Sequence, residues 1–149
     1  MSAPDEIELR AAERELGGEH RLFMDREWRS VDRALFGERV GWTSRPVVVE
    51  ARAGGDLLGL ASGEVVAGMV RLHDLLVAER SRDKGLGSRL VGAFCAQAAG
   101  LGAERCFLRC PATERHQRFY ERLGFVLVAR LPRYYHGLDF LEYMREPLV

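Results

Sequence analysis

The sequence predicts a mixed α/β (α+β) domain whose sheet has both antiparallel and parallel neighbours. Three observations lead there. Short apolar runs between residues 45 and 78 follow one another at hairpin spacing. Two later segments with helical periodicity each lie between strand-like runs. Strands and helices are therefore interleaved, which is the pattern of a layered sheet-and-helix domain. At 149 residues the chain is most economically one domain, 1–149, able to bury a core without disulfides or metal.

Taken in order, "IELRAA" (7–12) reads as a first strand. From Glu19 to about Leu35, the apolar residues Met24, Trp28, Val31 and Leu35 recur four, three and four apart, which is one helical face. "RPVVVEARA" (45–53) and "LLGLASGEVVAGMVRLHDLLVA" (57–78) read as strands broken by turns near Gly54-Gly55 and Ser62-Gly63. A second helix opens at Gly85 and Gly87, presents Leu86, Leu90 and Phe94 on one face, and stops at "GLG" (100–102). "RCFLRC" (105–110) is a short strand, after which Thr113 precedes a helix of about ten residues ended by Gly124. "FVLVARL" (125–131) and "LDFLEYMRE" (138–146) are the last strands, with "PRYYHG" as the loop between them.

Composition narrows the function classes. With 22 basic and 22 acidic side chains the net charge is zero, which argues against a dedicated nucleic-acid binder. Lys84 is the only lysine. The three cysteines, Cys95, Cys106 and Cys110, form no paired framework and suit a reducing compartment, with burial the expected fate of each. The first residues lack the basic-plus-apolar pattern of a leader, and no apolar run approaches the roughly 20 residues needed to cross a bilayer. A soluble cytoplasmic protein without a membrane partner is the expectation. His20, His116 and His136 make no metal-ligand spacing with each other or with the cysteines, so no metal is expected.

The stretch "VAERSRDKGLGSRLV" (77–91) departs from ordinary globular sequence. Two glycines at a helix start cost helix stability. They do, however, expose the unpaired N–H groups and positive dipole end of the helix, where a phosphate is well placed. Arg82 and Lys84 would add positive charge at the rim. The P-loop spacing is absent, and the dinucleotide pattern fails at Leu90, where it needs glycine. What fits is Arg-x-x-Gly-x-Gly, seen as Arg82 to Gly87 directly after an apolar strand. This resembles the coenzyme A pyrophosphate loop of the GNAT-superfamily N-acetyltransferases. "RFYERLGF" (118–125) resembles that family's late helix with its tyrosine and Leu-Gly-Phe ending, and one helix and one strand separate the two blocks, as in the family.

The resemblance covers residues 57 to 146 well and the N-terminal third in outline. It implies a central mixed, mostly antiparallel sheet of six or seven strands flanked by helices on both faces. It also implies acetyl-CoA as co-substrate and direct transfer of the acetyl group to a primary amine in a ternary complex. The strand before the loop, Leu75-Leu76-Val77, would hold the pantetheine arm and the thioester carbonyl. Asp83, Lys84, Gly85, Leu86, Gly87 and Ser88, with Arg82, would hold the diphosphate. Thr113 stands where the family often has a cofactor-binding asparagine, so that contact is a departure. Tyr120 occupies the position of the family's thiolate-protonating acid.

An amine with a pKa near 10 is neutral in only about one molecule in a thousand at pH 7, a penalty of about 4 kcal/mol, so a base is useful. Leu108 replaces the glutamate that serves in some relatives. His73 is the substitute: alternation puts Arg71, His73 and Leu75 on one strand face, and imidazole titrates near neutrality. A histidine merely satisfied by the backbone is the equally open alternative, since a bulge would shift the facing. Trp28, Arg71, Tyr134 and Tyr135 are the acceptor-side candidates, and the aromatic loop of the last two borders the acceptor or a homodimer partner in similar enzymes. Arg115, Arg118 and Arg122, at helical spacing, read as a solvated face. The expected acceptor is a small-molecule amine. The alternatives are a coenzyme A-binding module that has lost turnover, and an enzyme acting on a protein N-terminus or aminoacyl-tRNA.

Overall fold

The structure is a computed structural model that describes residues 7–12, 14–38 and 40–149. Residues 1–6, where the reading of the N-terminus for a leader begins, lie outside the described residues. The chain divides into two compact units, 1–40 and 41–149.

Among the described residues of the N-terminal unit the one regular element is helix α1 (Gly18–Phe36). The Gly17 N–H donates to His20 Nδ1 at 2.9 Å at its start, and Gly37, at φ 73°, closes it with an N–H donated to the Arg33 carbonyl. The expected strand at 7–12 is not formed. Its two large apolar side chains, Ile7 and Leu9, are 87% and 92% exposed, so an apolar-polar alternation with nothing to pack against did not become a strand.

The second unit is a six-stranded sheet with two helices. Its strands are β1 (Arg45–Ala53), β2 (Asp56–Val66), β3 (Met69–Val77), β4 (Arg105–Pro111), β5 (Val126–Tyr135) and β6 (Leu138–Arg145), in spatial order β1-β2-β3-β4-β6-β5. All neighbours are antiparallel except β3 and β4, which helix α2 (Leu86–Gly100) connects. Helix α3 (Glu114–Arg122) follows β4 and leads into β5. The core is built on one face of this sheet, where Val70, Leu72, Cys106, Leu108, Leu141 and Tyr143 are buried with Leu90, Val91, Phe94 and Cys95 of α2.

How α2 reaches the sheet explains a run of small residues on β2. A Cβ on Gly59 would come within 2.8 Å of Leu90 Cδ1, and one on Gly63 within 2.9 Å of Phe94 Cζ. Gly59, Ala61 and Gly63 therefore form a trough in which the α2 side chains lie. The expected turn at Ser62-Gly63 is overturned: both residues are inside β2, and the chain turns at Ala67-Gly68 instead. The glycine there serves helix approach rather than chain reversal.

The end of the chain also differs from expectation. "PRYYHG" is not a loop, because β5 runs on through Tyr135 and reverses at His136-Gly137. Tyr134 and Tyr135 are strand residues whose rings lie 5.5 and 5.2 Å from that of Phe140 on β6, and aromatic cross-strand contacts of this kind extend a ladder.

Candidate functional site

The geometry around the end of β3 begins with a β-bulge. Ser62 pairs with Asp74 and Gly63 with Leu72, so His73 is an extra residue on β3. The glycine is obligatory, since a Cβ at Gly63 would sit 1.8 Å from the Arg71 carbonyl oxygen. The bulge changes the facing of everything after it. Val70 and Leu72 point into the core, and Leu75 and Val77 pack against that same core. Arg71, His73 and Leu75 therefore do not share a face, and the simple alternation fails at this point.

Parallel pairing of β3 with β4 also stops here, at Leu72 with Leu108. Beyond it, Leu75, Leu76 and Val77 remain paired with β2 but have no partner on the other side. The Ala78 N–H donates to the Leu58 carbonyl at 2.7 Å, so antiparallel alternation turns the peptide groups of Leu75 and Val77 toward the open edge. The two strands part here, and the bulge marks where the parting begins.

A cleft of about 860 Å³ lies against this edge. The end of β3, the following loop, the first turn of α2 and one side of α3 form its walls. Of the expected cofactor residues, Leu75, Leu76, Val77, Arg82, Asp83, Gly85, Leu86, Gly87 and Ser88 all line it. Gly85 is the N-cap of α2 at φ 77°, a left-handed conformation that a side chain would strain, and it leaves the first-turn N–H groups of α2 without a side-chain cap. Gly87 has a different reason to be glycine: a Cβ there would meet the Phe119 ring at 3.3 Å. The first glycine shapes the turn and the second lets α3 come close.

Two expected residues are turned elsewhere. Lys84 does not line the cleft; its Nζ donates to the Arg80 carbonyl at 3.4 Å. Thr113 is occupied as the N-cap of α3, where its Oγ1 accepts the His116 N–H at 3.2 Å and lies 2.6 Å from His116 Nδ1. Desolvation, and then the Arg115 charge, hold His116 below the usual imidazole range, so the neutral ring is favoured and the Thr113 hydroxyl can donate to Nδ1.

Tyr120 lines the cleft from α3. Its ring is fixed edge-on between Phe119, at 4.9 Å, and Phe125, at 5.6 Å. Burial, and then the nearby Cys110 and Cys106 thiols, raise its pKa above the ordinary tyrosine value. The hydroxyl has no hydrogen-bond partner among the described residues, where no buried side-chain oxygen goes unpaired. The oxygen must therefore reach the open volume of the cleft. Tyr120 is anchored by its ring and free at its proton.

Arg115, Arg118 and Arg122 are exposed, as the helical spacing led us to expect, and all three also border the cleft. Arg115 meets Asp83 at 3.2 Å, Arg118 pairs with Glu114, and Arg122 makes no ion pair among the described residues. With Arg82, whose Nε donates to the Val77 carbonyl at 2.9 Å, four cleft-lining arginines face two carboxylates, Asp83 and Glu114. Helical spacing alone could not show that this exposed face borders a cleft.

His73 stands away from this cleft. Its Nε2 is 3.5 Å from Glu64 Oε1, and Glu64 also accepts from the Ser44 hydroxyl. Glu64 pairs with Arg71 and is held below the usual carboxylate range, first by the Ser44 hydrogen bond and then by that of His73. Leu108 is a core residue, 1% exposed. The carboxylate that sequence reading passed over is Glu142 on β6, set between Arg71 at 3.3 Å and Arg109 at 3.5 Å, with Tyr134 completing the group through its contact with Arg109. Trp28 lies on α1, in the N-terminal unit. Cys95, Cys106 and Cys110 are buried free thiols. Among the described residues no group of His, Cys, Asp or Glu could hold a metal, and no helix is long and apolar enough to cross a membrane.

A parted parallel pair, an open strand edge and an uncapped helix start beside a buried tyrosine meet at this cleft, and comparison with known proteins gives the family. The family model described as the acetyltransferase (GNAT) family matches residues 8–125, and the chain belongs to that family. An acetyltransferase from Bacillus cereus superposes with a TM-score of 0.73 at 14% identity, covering 91% of this chain and 97% of that one. The ribosomal-protein-alanine N-acetyltransferase of Escherichia coli gives 0.65 at 20% identity, covering 69% and 70%. A GNAT acetyltransferase from Elizabethkingia anophelis, solved with acetyl-CoA bound, gives 0.60 at 14% identity, covering 66% and 74%. No curated protein matches in sequence. The six-stranded mixed sheet and three helices are the GNAT fold.

Proposed function

We propose that residues 1–149 act as one acetyltransferase domain that moves an acetyl group from acetyl-CoA to the primary amine of a small molecule, by direct attack in a ternary complex. The family match spans both compact units, which supports reading them together. The observation that carries the proposal is the convergence of the open β3 edge, the uncapped start of α2 and the free Tyr120 hydroxyl on one cleft.

The co-substrate supplies a thioester carbon open to attack. The chain's own groups do the rest. Main-chain N–H groups at Gly85 to Ser88, with the α2 dipole, are placed to receive the diphosphate. Donors on the Leu75–Val77 edge would bind the pantetheine arm and hold negative charge as it develops on the carbonyl oxygen. The new N–C bond forms as the C–S bond breaks, and Tyr120 donates its proton to the departing sulfur. Because burial raises its pKa, the phenol stays protonated across the physiological range. Full transfer to a thiolate of pKa near 8.5 would run uphill by about 2 kcal/mol even at ordinary values, so Tyr120 acts by hydrogen bonding and sharing its proton as charge develops.

The amine's own proton is assigned to His73, oriented by Glu64 at the point where β3 and β4 part. A cytoplasmic setting, where thiols stay reduced, suits the reading. The second reading is a peptide N-terminus as acceptor, prompted by the E. coli structural neighbour with that activity.

Thiol release from acetyl-CoA, measured over a panel of small amines and peptides, tests the proposal. Turnover with small amines is expected. Background release across the panel, with acetyl-CoA still bound, would leave a binding module instead; release with peptides only would move the acceptor to a protein terminus.

A further inference from the structure

We infer that Arg109 and Arg71, held by Glu142 on the sheet face opposite the core, bind a carboxylate on the acceptor, so that the amine acetylated belongs to a small molecule of the amino-acid class. The inference rests on the transferase reading above and names the class of its acceptor.

Alternation fixes where the group lies. Arg71 stands between buried Val70 and Leu72 on β3, Arg109 between Leu108 and Cys110 on β4, and Glu142 between Leu141 and Tyr143 on β6. All three therefore point away from the core, and none lines the cleft proposed for coenzyme A. They border the place where the sheet opens: Leu72 with Leu108 is the last β3–β4 pair, and Arg109 is the next residue of β4. An acceptor approaching from this face would meet the thioester at the parting, with the nucleotide on the other side.

Glu142 is the anchor of the group. Its carboxylate, 16% exposed, takes both Nη atoms of Arg71 on one oxygen at 3.3 Å and Nε of Arg109 on the other at 3.5 Å. The Tyr134 hydroxyl accepts from Arg109 Nη1, and its ring centre lies 5.3 Å from the guanidinium carbon. Arg109 is thus fixed on two sides. Its Nη2 makes no hydrogen bond among the described residues, on a side chain 40% exposed. A guanidinium set in place beforehand loses little freedom on binding, and its planar fork suits a carboxylate. No second carboxylate contacts either arginine among the described residues, so the surplus is one positive charge. One carboxylate neutralises it, whereas a phosphate monoester brings about 1.5 to 2 charges.

Across the parting the charge reverses. Asp74 on β3 accepts from the Ser62 hydroxyl at 2.9 Å, and Ser62 lies between Ala61 and Gly63, which face α2, so Asp74 shares the outer face. Glu64, opposite Arg71 and beside His73, is there too. A carboxylate side and a guanidinium side suit a zwitterion, its ammonium toward Asp74 and Glu64 and its carboxylate toward Arg109. A plain alkylamine would leave the arginines unanswered.

Thiol release from acetyl-CoA by the full chain provides the test, with the common amino acids each beside its α-carboxamide, short peptides, and β-alanine beside phosphoethanolamine. The best acid is expected to exceed its amide about tenfold or more in kcat/KM, the factor one charge-assisted contact supplies. Losing the carboxylate charge makes the amine less basic and more of it neutral, so amine reactivity alone predicts the opposite order. Arg109→Gln should lower the acid-to-amide ratio about tenfold by raising KM for the acid with kcat largely kept, and Arg109→Lys should restore part of it. Acetyl-CoA binding and Tm report folding of both variants; if Arg109→Gln unfolds, the wild-type ratio and Arg109→Lys decide. Amides or plain amines used as well as acids, a preference that Arg109→Gln leaves intact, turnover of peptides alone, or a preference for phosphoethanolamine would each overturn the assignment. Background release from every amine, with acetyl-CoA still bound, would defeat the transferase reading itself, a result distinct from the others.

Discussion

Tyr120→Phe removes one oxygen and leaves the ring that packs against Phe119 and Phe125. The oxygen has no hydrogen-bond partner among the described residues, so its loss breaks no internal bond. Folding stability should therefore stay within about 0.5 kcal/mol of wild type. Acetyl-CoA affinity should also hold, since the diphosphate and pantetheine contacts proposed above lie on α2 and β3. The rate is another matter. A positioned acid contributes roughly 10² to 10⁴ in rate. A thiolate is already a fair leaving group, which places the effect at the low end, about 100-fold in kcat or about 2.7 kcal/mol of barrier. The assay is steady-state thiol release with the best amine, alongside calorimetric binding of acetyl-CoA and thermal unfolding. A kcat within about threefold of wild type, with binding and Tm unchanged, would remove Tyr120 from the chemistry. A large fall in Tm would instead mean that its hydroxyl is structural.

The other expectations concern the frame that holds the cleft. Gly63→Ala would drive a Cβ to 1.8 Å from the Arg71 carbonyl and against Phe94, so a loss of at least about 3 kcal/mol in urea unfolding is expected; a near-neutral result would show that the bulge can be rebuilt. Thr113→Ala deletes the α3 N-cap and should cost about 1 kcal/mol, with acetyl-CoA affinity unaffected because the side chain is committed to His116; weakened binding would restore Thr113 as a cofactor contact. Alkaline pH should destabilise the fold through Cys110, whose thiol desolvation pushes up to about 11. Cys95 and Cys106 shift in opposite directions through their shared contact, so the pair largely offsets itself. Cys110 stays protonated when folded and ionises near 8.5 when unfolded, so its contribution is complete below about pH 8.5 and is lost as the pH rises toward about 11. The slope is about 1.4 kcal/mol per pH unit, readable from urea midpoints between pH 8 and 10. A flat profile there would show that this thiol is not held protonated.

Much of this was legible along the chain. The elements with their own punctuation came through: the glycine start of α2, Thr113 at the head of α3, and β1 before the Gly54-Gly55 turn. "GLG" at 100–102 and Gly124 marked helix ends because a left-handed residue there is a local requirement, met at φ 90° and 84° by Gly102 and Gly124. Residues 7–12 misled, since alternation states a preference that is realised only where a partner strand exists. Ser62-Gly63 misled in another way: the same residue type serves a turn, a bulge and a helix seat.

Local order in the chain by itself determined which residues could cap, turn and alternate, and two short motifs named the family, because these requirements are satisfied within a few residues. Only the tertiary structure decided which side of the bulge Leu75 and His73 occupy, that the exposed arginines of α3 border the cleft, and that Glu142 lies between Arg71 and Arg109. Those outcomes depend on register and on approaches between segments up to 71 residues apart, such as Arg71 and Glu142. No periodicity read along one segment can encode them, because the deciding partner lies on another strand.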